Sequence, residues 1–553
     1  MVTPTQPKPL SNEQSTIARS AGIVSIAVFM SRITGLIRER VMLGMFGAGL
    51  ANDAFQLAFR IPNLTRDLFA EGALSSAFVP VFTEYLTTKN RKEAAVLANL
   101  VATALIVVVG TLCVLGVVFS PQLVNIFGSG YQQVPEKFAL TIQMTRITFP
   151  FLLLVALAAQ AMGVLNACGV FGVPAMASTF FNIGSLVFGL VIGKWAGPYL
   201  GIQPIVGMAY GVVLGGALQL FWQIPSLYRA GFTFRPQFDW SHPGLQRILR
   251  MMGPAILGSA AVQINVTVNS NFATSIVDPH TGLNGPLSWL LCAFRFMQLP
   301  LGLFGVAIAS ATLPSISRSA ASNDIDEFRR TMARSLGMVL LLTVPSSVGL
   351  AVLGESIVGA IYQTGKFQLY DTQQTAAALS CYAIGLAGYS AVKVLAPAFY
   401  ALKDSRTPMM VSLVSIAVNY FAVVALLRFT HLGHAGLALS TSVVAIINAL
   451  VLFGMLRTRI GGIHGRILFE SIAKISIASL AMGVTVWASS TAMRNWLGVS
   501  AKARLADLTV SIPIGLVMLY AACRLLRVSE LELAMKSLAG PLQRRLPFLR
   551  DKI

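Results

Sequence analysis

The chain has 553 residues, of which 55% are hydrophobic and only 11% charged, against about 25% charged in an ordinary soluble domain. With a mean hydropathy of +0.72, that balance excludes a soluble globular protein and a disordered one. A net charge of +20, from 41 Lys+Arg against 21 Asp+Glu, must then find its place in a chain that reads as membrane-embedded.

The first 16 residues are polar, with Pro4, Pro7 and Pro9, and read as a loose tail. The apolar run after them is interrupted at Arg32, and no small-residue cleavage pattern follows a basic start. A signal peptide is therefore not expected. A bilayer-crossing helix needs about 20 apolar residues. Fourteen such runs follow in order: 20–46, 52–84, 94–120, 140–166, 173–195, 205–228, 248–275, 285–317, 333–353, 374–401, 408–428, 434–456, 468–490 and 505–525. They are too long, and alternate too little, for β-barrel strands. The expected fold class is an all-α polytopic membrane protein. It has a polar tail (1–16), a six-span lobe (17–228), a second six-span lobe (229–460), two further spans (461–530) and a basic tail (531–553).

The basic residues test this topology. With the N-terminus cytoplasmic, the cytoplasmic loops and tails hold 25 Lys and Arg, and the opposite side holds 7, Lys137, Arg494 and Arg504 among them. That asymmetry follows the positive-inside rule. It predicts an even number of spans and cytoplasmic termini.

The sequence also echoes itself. Phe59-Arg60 recurs as Phe294-Arg295 and Phe69 as Phe304, at an offset of 235; Pro80 recurs as Pro314, and Ala167, Pro174 and Met176 as Ala401, Pro408 and Met410, at an offset of 234. The offset covers six spans, so both halves keep one orientation. That is a parallel repeat of the kind found in transporters whose halves rock around a shared site. Spans 13 and 14 stand outside it.

Nine basic residues lie on or near the spans: Arg32, Arg38, Arg40, Arg60, Arg66, Arg146, Arg295, Lys393 and Lys474. Arg40, Arg146 and Lys474 sit near span ends, where long side chains reach the interface. Arg32 lies 12 residues into the first run, where a charge is expensive. At about 100° per residue, Arg32 and Arg38 do not share a helix face; a bend near Gly35 or a wide aqueous cavity would bring them together. Arg66 follows Pro62, which loosens the second span. Arg295 is the comparable group in the second half. Arginines on one cavity suit a phosphate ligand, because guanidinium pairs with phosphate oxygens in a bidentate way. The competing reading pairs them internally with Glu39, Asp53 and Glu71.

Other chemistry is sparse. Cys113, Cys168, Cys292, Cys381 and Cys523 lie in apolar stretches without a C-x-x-C pair and read as buried hydrophobes. His431 and His434 have no third ligand nearby, so no metal site is expected. Gly189 and Gly193 form a small-xxx-small packing pattern. No phosphate loop or nucleophile elbow appears. Active transport by this chain would draw on an ion gradient, the membrane voltage or a partner.

The segments Ser31-Arg32-Ile33-Thr34-Gly35-Leu36-Ile37-Arg38-Glu39, Phe46 to Gly49, Asn52-Asp53-Ala54-Phe55, Pro62-Asn63-Leu64 through Arg66, and Phe69 to Ala73 resemble MurJ (MviN). So do Gly253 to Gly258 and Lys393 to Pro397 with Phe399-Tyr400. MurJ is the lipid II flippase family of the multidrug/oligosaccharidyl-lipid/polysaccharide (MOP) exporter superfamily, and the resemblance covers essentially the whole chain beyond the tail. It implies fourteen helices in two lobes around a central cavity, with spans 13 and 14 forming a groove for a polyprenyl tail. It implies cavity arginines at Arg32, Arg38, Arg66 and Arg295 and a functional acid at Asp53. Ser31 and Glu71 complete the expected substrate-binding set, with Gly35 and Pro62 as hinges. The implied activity is translocation of undecaprenyl-pyrophosphate-linked disaccharide-pentapeptide to the outer leaflet of the bacterial cytoplasmic membrane, with no enzymatic step, no nucleic acid, and cell-wall synthesis complexes as partners.

Two departures qualify this. Phe294 and Gln298 stand where the family usually has acidic neighbours of Arg295. Spans 248–275 and 408–428 contain no Asp or Glu, so the sodium site of some members is expected to be absent, which favours membrane potential or protons as the drive. Flippases for O-antigen or capsule units, and MATE-like drug exporters, are the alternatives. A pyrophosphate site does not separate the first of these from a lipid II carrier, whereas cationic drugs would want acidic cavity residues.

Overall fold

The computed structural model describes residues 12–66, 74–463, 465–532 and 535. All regular structure among them is helical, apart from an isolated bridge between Asp278 and Gly282. The chain forms two compact units, 1–271 and 272–553.

The first unit contains α1 (Asn12–Phe46), α2 (Leu50–Arg66), α3 (Ser75–Thr88), α4 (Arg91–Val118), α5 (Ser120–Phe127), α6 (Pro135–Thr148), α7 (Phe151–Ala167), α8 (Gly172–Leu190), α9 (Gly197–Leu200), α10 (Pro204–Phe221), α11 (Ile224–Arg229) and most of α12 (Pro243–Ser275). The starts are written in the sequence. Asn90 caps α4 by accepting the Glu93 N–H at 2.8 Å, satisfying an orphan donor of the first turn. Prolines open α6 and α10, where their missing N–H is harmless. Gly201, at φ +64, ends α9. One core joins Phe78, Phe82, Leu97, Val101 and Leu152 to Leu245 and Ile248. The latter two draw the start of α12 into this unit.

The second unit contains α13 (Pro286–Pro300), α14 (Ala307–Ala321), α15 (Ile325–Tyr362), α16 (Leu369–Ala401), α17 (Arg406–Phe429), α18 (His434–Ile460), α19 (Gly465–Leu497) and α20 (Ala501–Leu525). Asp324 caps α15 through the Glu327 N–H at 2.9 Å. Gln368 and Asp371 close a capping box at the start of α16. A core of Phe328, Met332, Leu395, Phe399 and Leu456 holds the unit.

The repeat reappears in the packing. Where α2 packs on α6, α4 on α7 and α10 on α8, the helices at the corresponding offsets pack in the same pairs: α13 on α16, α15 on α16 and α18 on α17. Outside this scheme, α19 and α20 pack on each other and on α15.

Eleven helices among the described residues are long and apolar enough to cross a membrane. The fourteen expected runs comprise these eleven plus α1, the α2–α3 segment and α12. Two of those three carry the candidate arginines Arg32, Arg38 and Arg66. Phe29, Val114, Phe421, Val484 and Val517 are exposed, as helix surfaces facing lipid tails can be. Of the five cysteines, Cys113, Cys292 and Cys523 are buried and Cys168 and Cys381 half-buried, all as free thiols.

Candidate functional site

The first unit carries Ser31, Arg32, Arg38, Asp53 and Arg66 of the expected set. The second unit carries Arg295. Glu71 lies outside the described residues.

On α1, Ser31, Thr34, Gly35 and Arg38 meet α8. The Asn182 amide donates to the Ser31 carbonyl at 3.0 Å. A Cβ on Gly35 would come within 3.4 Å of the Asn182 Nδ2. α1 runs without a break through Gly35, the glycine expected as a hinge, and the contact that a Cβ there would make is an ordinary van der Waals one. Arg38 donates from Nη1 to Ser185 Oγ at 3.4 Å and lies over the Phe181 ring, 5.2 Å from its centroid. Arg32 is exposed, and it makes no hydrogen bond or ion pair among the described residues.

On α2, Pro62 lies inside an otherwise continuous helix ending at the half-buried Arg66. Proline leaves the carbonyl four residues back without its helical donor. That carbonyl belongs to Ala58, and Thr148 Oγ1 on α6 lies 3.1 Å from it. The expected loosening at Pro62 is thus bridged from the neighbouring helix.

The same pair of helices holds Asp53. Its Oδ2 lies 2.8 Å from Lys137 Nζ, and both side chains are 0% exposed. The Lys137 ammonium also sits over Tyr131, 4.1 Å from the ring centroid. Burial, with the Asp53 charge adding to it, pushes the Tyr131 phenol well above its ordinary value, so a neutral ring faces the cation. Asp53 is therefore one half of a sealed ion pair. Lys137, counted from the sequence among the outer-side charges, belongs to this buried joint. A signal for it existed: Lys137, Thr141, Thr145 and Thr148 are spaced by 4, 4 and 3 residues, which places them on one helix face, and the three threonines are fully buried.

In the second unit, Arg295 is exposed on α13. Phe294 packs edge-on against Tyr382, with centroids 5.3 Å apart. A π-helical turn, Leu301–Val306, follows, a feature frequent at functional sites. His434 is buried and its Nε2 lies 2.9 Å from the Gln374 carbonyl, which gives it a backbone partner.

A second polar cluster, missed in the sequence, joins α15, α19 and α20. Buried Asp507 accepts hydrogen bonds from Ser356 at 2.5 Å and from Ser490 and Ser511 at 2.7 Å. Beside it, Glu355 takes Arg494 and Arg504, each at 3.4 Å. Arg504 was counted as an outer-side charge but is only 2% exposed.

The chain matches the family model described as lipid II flippase MurJ over residues 42–506. It is 34% identical over 522 residues to a probable lipid II flippase MurJ of Vibrio cholerae, covering 93% of this chain and 96% of that one. It is also 34% identical to the lipid II flippase MurJ of Burkholderia cenocepacia, over 79% of this chain and 83% of that one. A solved structure of lipid II flippase MurJ in an inward closed conformation superposes with a TM-score of 0.72 at 26% identity, covering 91% and 98% of the two chains. An inward-facing MATE multidrug transporter of the MOP superfamily shares the fold alone, with a TM-score of 0.63 at 15% identity over 80% and 98%. The chain is a multi-pass membrane protein, and it belongs to the MurJ family of lipid II flippases.

Proposed function

We propose that this chain carries lipid II, the undecaprenyl-pyrophosphate-linked disaccharide-pentapeptide, from the inner to the outer leaflet of the bacterial cytoplasmic membrane by alternating access. The observation that carries the reading is Arg32. It is a permanently charged group on a long helix, exposed and without a partner among the described residues. A guanidinium at membrane depth needs a counter-charge, and a pyrophosphate supplies one with matching bidentate geometry. Arg38 and Arg66 on the same unit, and Arg295 on the other, extend the anionic recognition in this reading. Both termini are cytoplasmic, α19 and α20 hold the polyprenyl tail, and membrane potential or a proton gradient drives the cycle without a sodium site of the family type.

The test is complementation of a flippase-depleted bacterium by Arg32→Ala, Arg38→Ala, Arg66→Ala and Arg295→Ala. Each is expected to fail; growth with all four would overturn the site. A vesicle assay with labelled lipid II, with voltage, pH and sodium gradients collapsed in turn, addresses substrate and drive. Equal transport of an O-antigen-type polyprenyl pyrophosphate would shift the reading to a broader glycolipid carrier.

A further inference from the structure

The buried joint between α2 and α6 assigns a role to Lys137 that the arginine reading leaves open. α2 carries Asp53 in its first turn and Arg66 as its last residue. At 1.5 Å per residue, about 20 Å of helix separates the two. Along that length the polar points between α6 and α2 include the Lys137–Asp53 pair and the approach of Thr148 to the carbonyl that Pro62 frees. Ala54, Phe55 and Ala58 share an apolar core with Met144, but apolar surfaces slide more readily than ion pairs. The pair is directional, fully desolvated and roofed by the Tyr131 ring. It fixes α2 lengthwise and in rotation, and so fixes where Arg66 stands.

We propose that Lys137 is a positioning residue for substrate binding: it holds Asp53, and through Asp53 it sets the register of the arginine-bearing helix α2. Asp53 then acts through Lys137 rather than by touching substrate. Its carboxylate already has its cation, and a second anion brought beside it would be repelled. The inference rests on the reading of Arg66 as a pyrophosphate ligand.

The experiment uses the full chain in lipid nanodiscs, with labelled lipid II as the probe for binding and liposome flipping for rate. Lys137→Met and Asp53→Asn should each weaken binding and flipping by roughly tenfold to a hundredfold, the penalty of a misplacement on the order of 1 Å. The reversed pair, Asp53→Lys with Lys137→Asp, should restore both, as should Lys137→Arg. A merely structural role would let melting recover in the reversed pair without binding recovering alongside it. If the reversed pair folds but does not bind, one of the two side chains touches substrate and the proposal falls. It also falls if Lys137→Met binds like the parent. Where the single variants do not fold, the reversed pair and Lys137→Arg decide alone. Arg66→Ala in the same assay separates the two ideas: if it binds like the parent while the Lys137 variants do not, the arginine reading has failed and the joint matters for another reason.

Discussion

The two units solve one joint in two ways. In the first, α2 is tied to α6 by Asp53 and Lys137. In the second, α13 is tied to α16 by Trp289, whose indole Nε1 donates to Asp371 Oδ1 at 2.9 Å. Asp371 stands at Lys137's place in the repeat, at the offset of 234, and Trp289 lies one position past Ser288, the counterpart of Asp53 at the offset of 235. The sign at the α6/α16 position is inverted, cation in one half and anion in the other. The surroundings differ as well. Lys137 and Asp53 are sealed from solvent, so neither charge can turn to water. Asp371 is half-buried, and its second oxygen accepts the Gln368 N–H at 3.0 Å as a helix cap. One repeat thus holds its helices by a fully buried pair of charges, the other by a neutral donor on a half-buried carboxylate. Geometry can be conserved across a repeat while electrostatic risk is concentrated in one half.

That contrast can be broken most sharply at Lys137. Lys137→Ala leaves the Asp53 carboxylate buried without its cation and should cost about 3–5 kcal/mol, read as a large fall in the melting temperature of the detergent-purified chain. A fall no greater than that of Trp289→Phe would mean that the first joint is not the more fragile. Trp289→Phe removes one donor to a carboxylate that keeps its backbone bond, and about 2 kcal/mol is expected. Thr148→Val takes the hydroxyl from the Ala58 carbonyl, but that hydroxyl is also within reach of the Met144 carbonyl at 2.9 Å. About 1 kcal/mol should be lost, and Pro62→Ala, which restores the helical donor, should erase most of it. An undiminished loss with Pro62→Ala would show that the proline is not the reason for the contact.

Much of the fold was legible because it rests on local rules. Hydropathy outlined the fourteen runs, prolines and capping residues marked helix starts, and the 234–235 offset announced the packing pairs. The arginines were legible as charges out of place. What escaped was pairing across distance. Lys137 and Asp53 are separated by 84 positions, and nothing in either neighbourhood names the other. A charge count also treats a lysine two residues into a helix as a loop charge, because hydropathy averages over the boundary. Arg504 failed in the same way: it lies four residues beyond the Ser500 cap of α20, yet its guanidinium turns inward onto Glu355. Pro62 was visible as an irregularity, but whether it loosens the helix or is bridged depends on Thr148, a residue far away in the chain.

Glu355 offers an internal control for the idea that sealing, rather than charge, sets the cost of breaking a joint. It takes two arginines at the same distance of 3.4 Å, but the Arg504 side chain is 2% exposed and that of Arg494 31%. Arg504 also fills the space beside Gly359, where a Cβ would collide with its guanidinium. Arg494→Ala should therefore change stability by less than about 1 kcal/mol, and the change should fade as salt is raised, since a partly exposed pair is screened. Arg504→Ala should cost more and stay insensitive to salt. Gly359→Ala should mimic Arg504→Ala by expelling the same side chain, and the double variant should be less destabilised than the two single losses added together. Equal losses at Arg494 and Arg504, both vanishing in salt, would show that burial does not rank these joints, and the ordering of Lys137 above Trp289 would lose its physical basis.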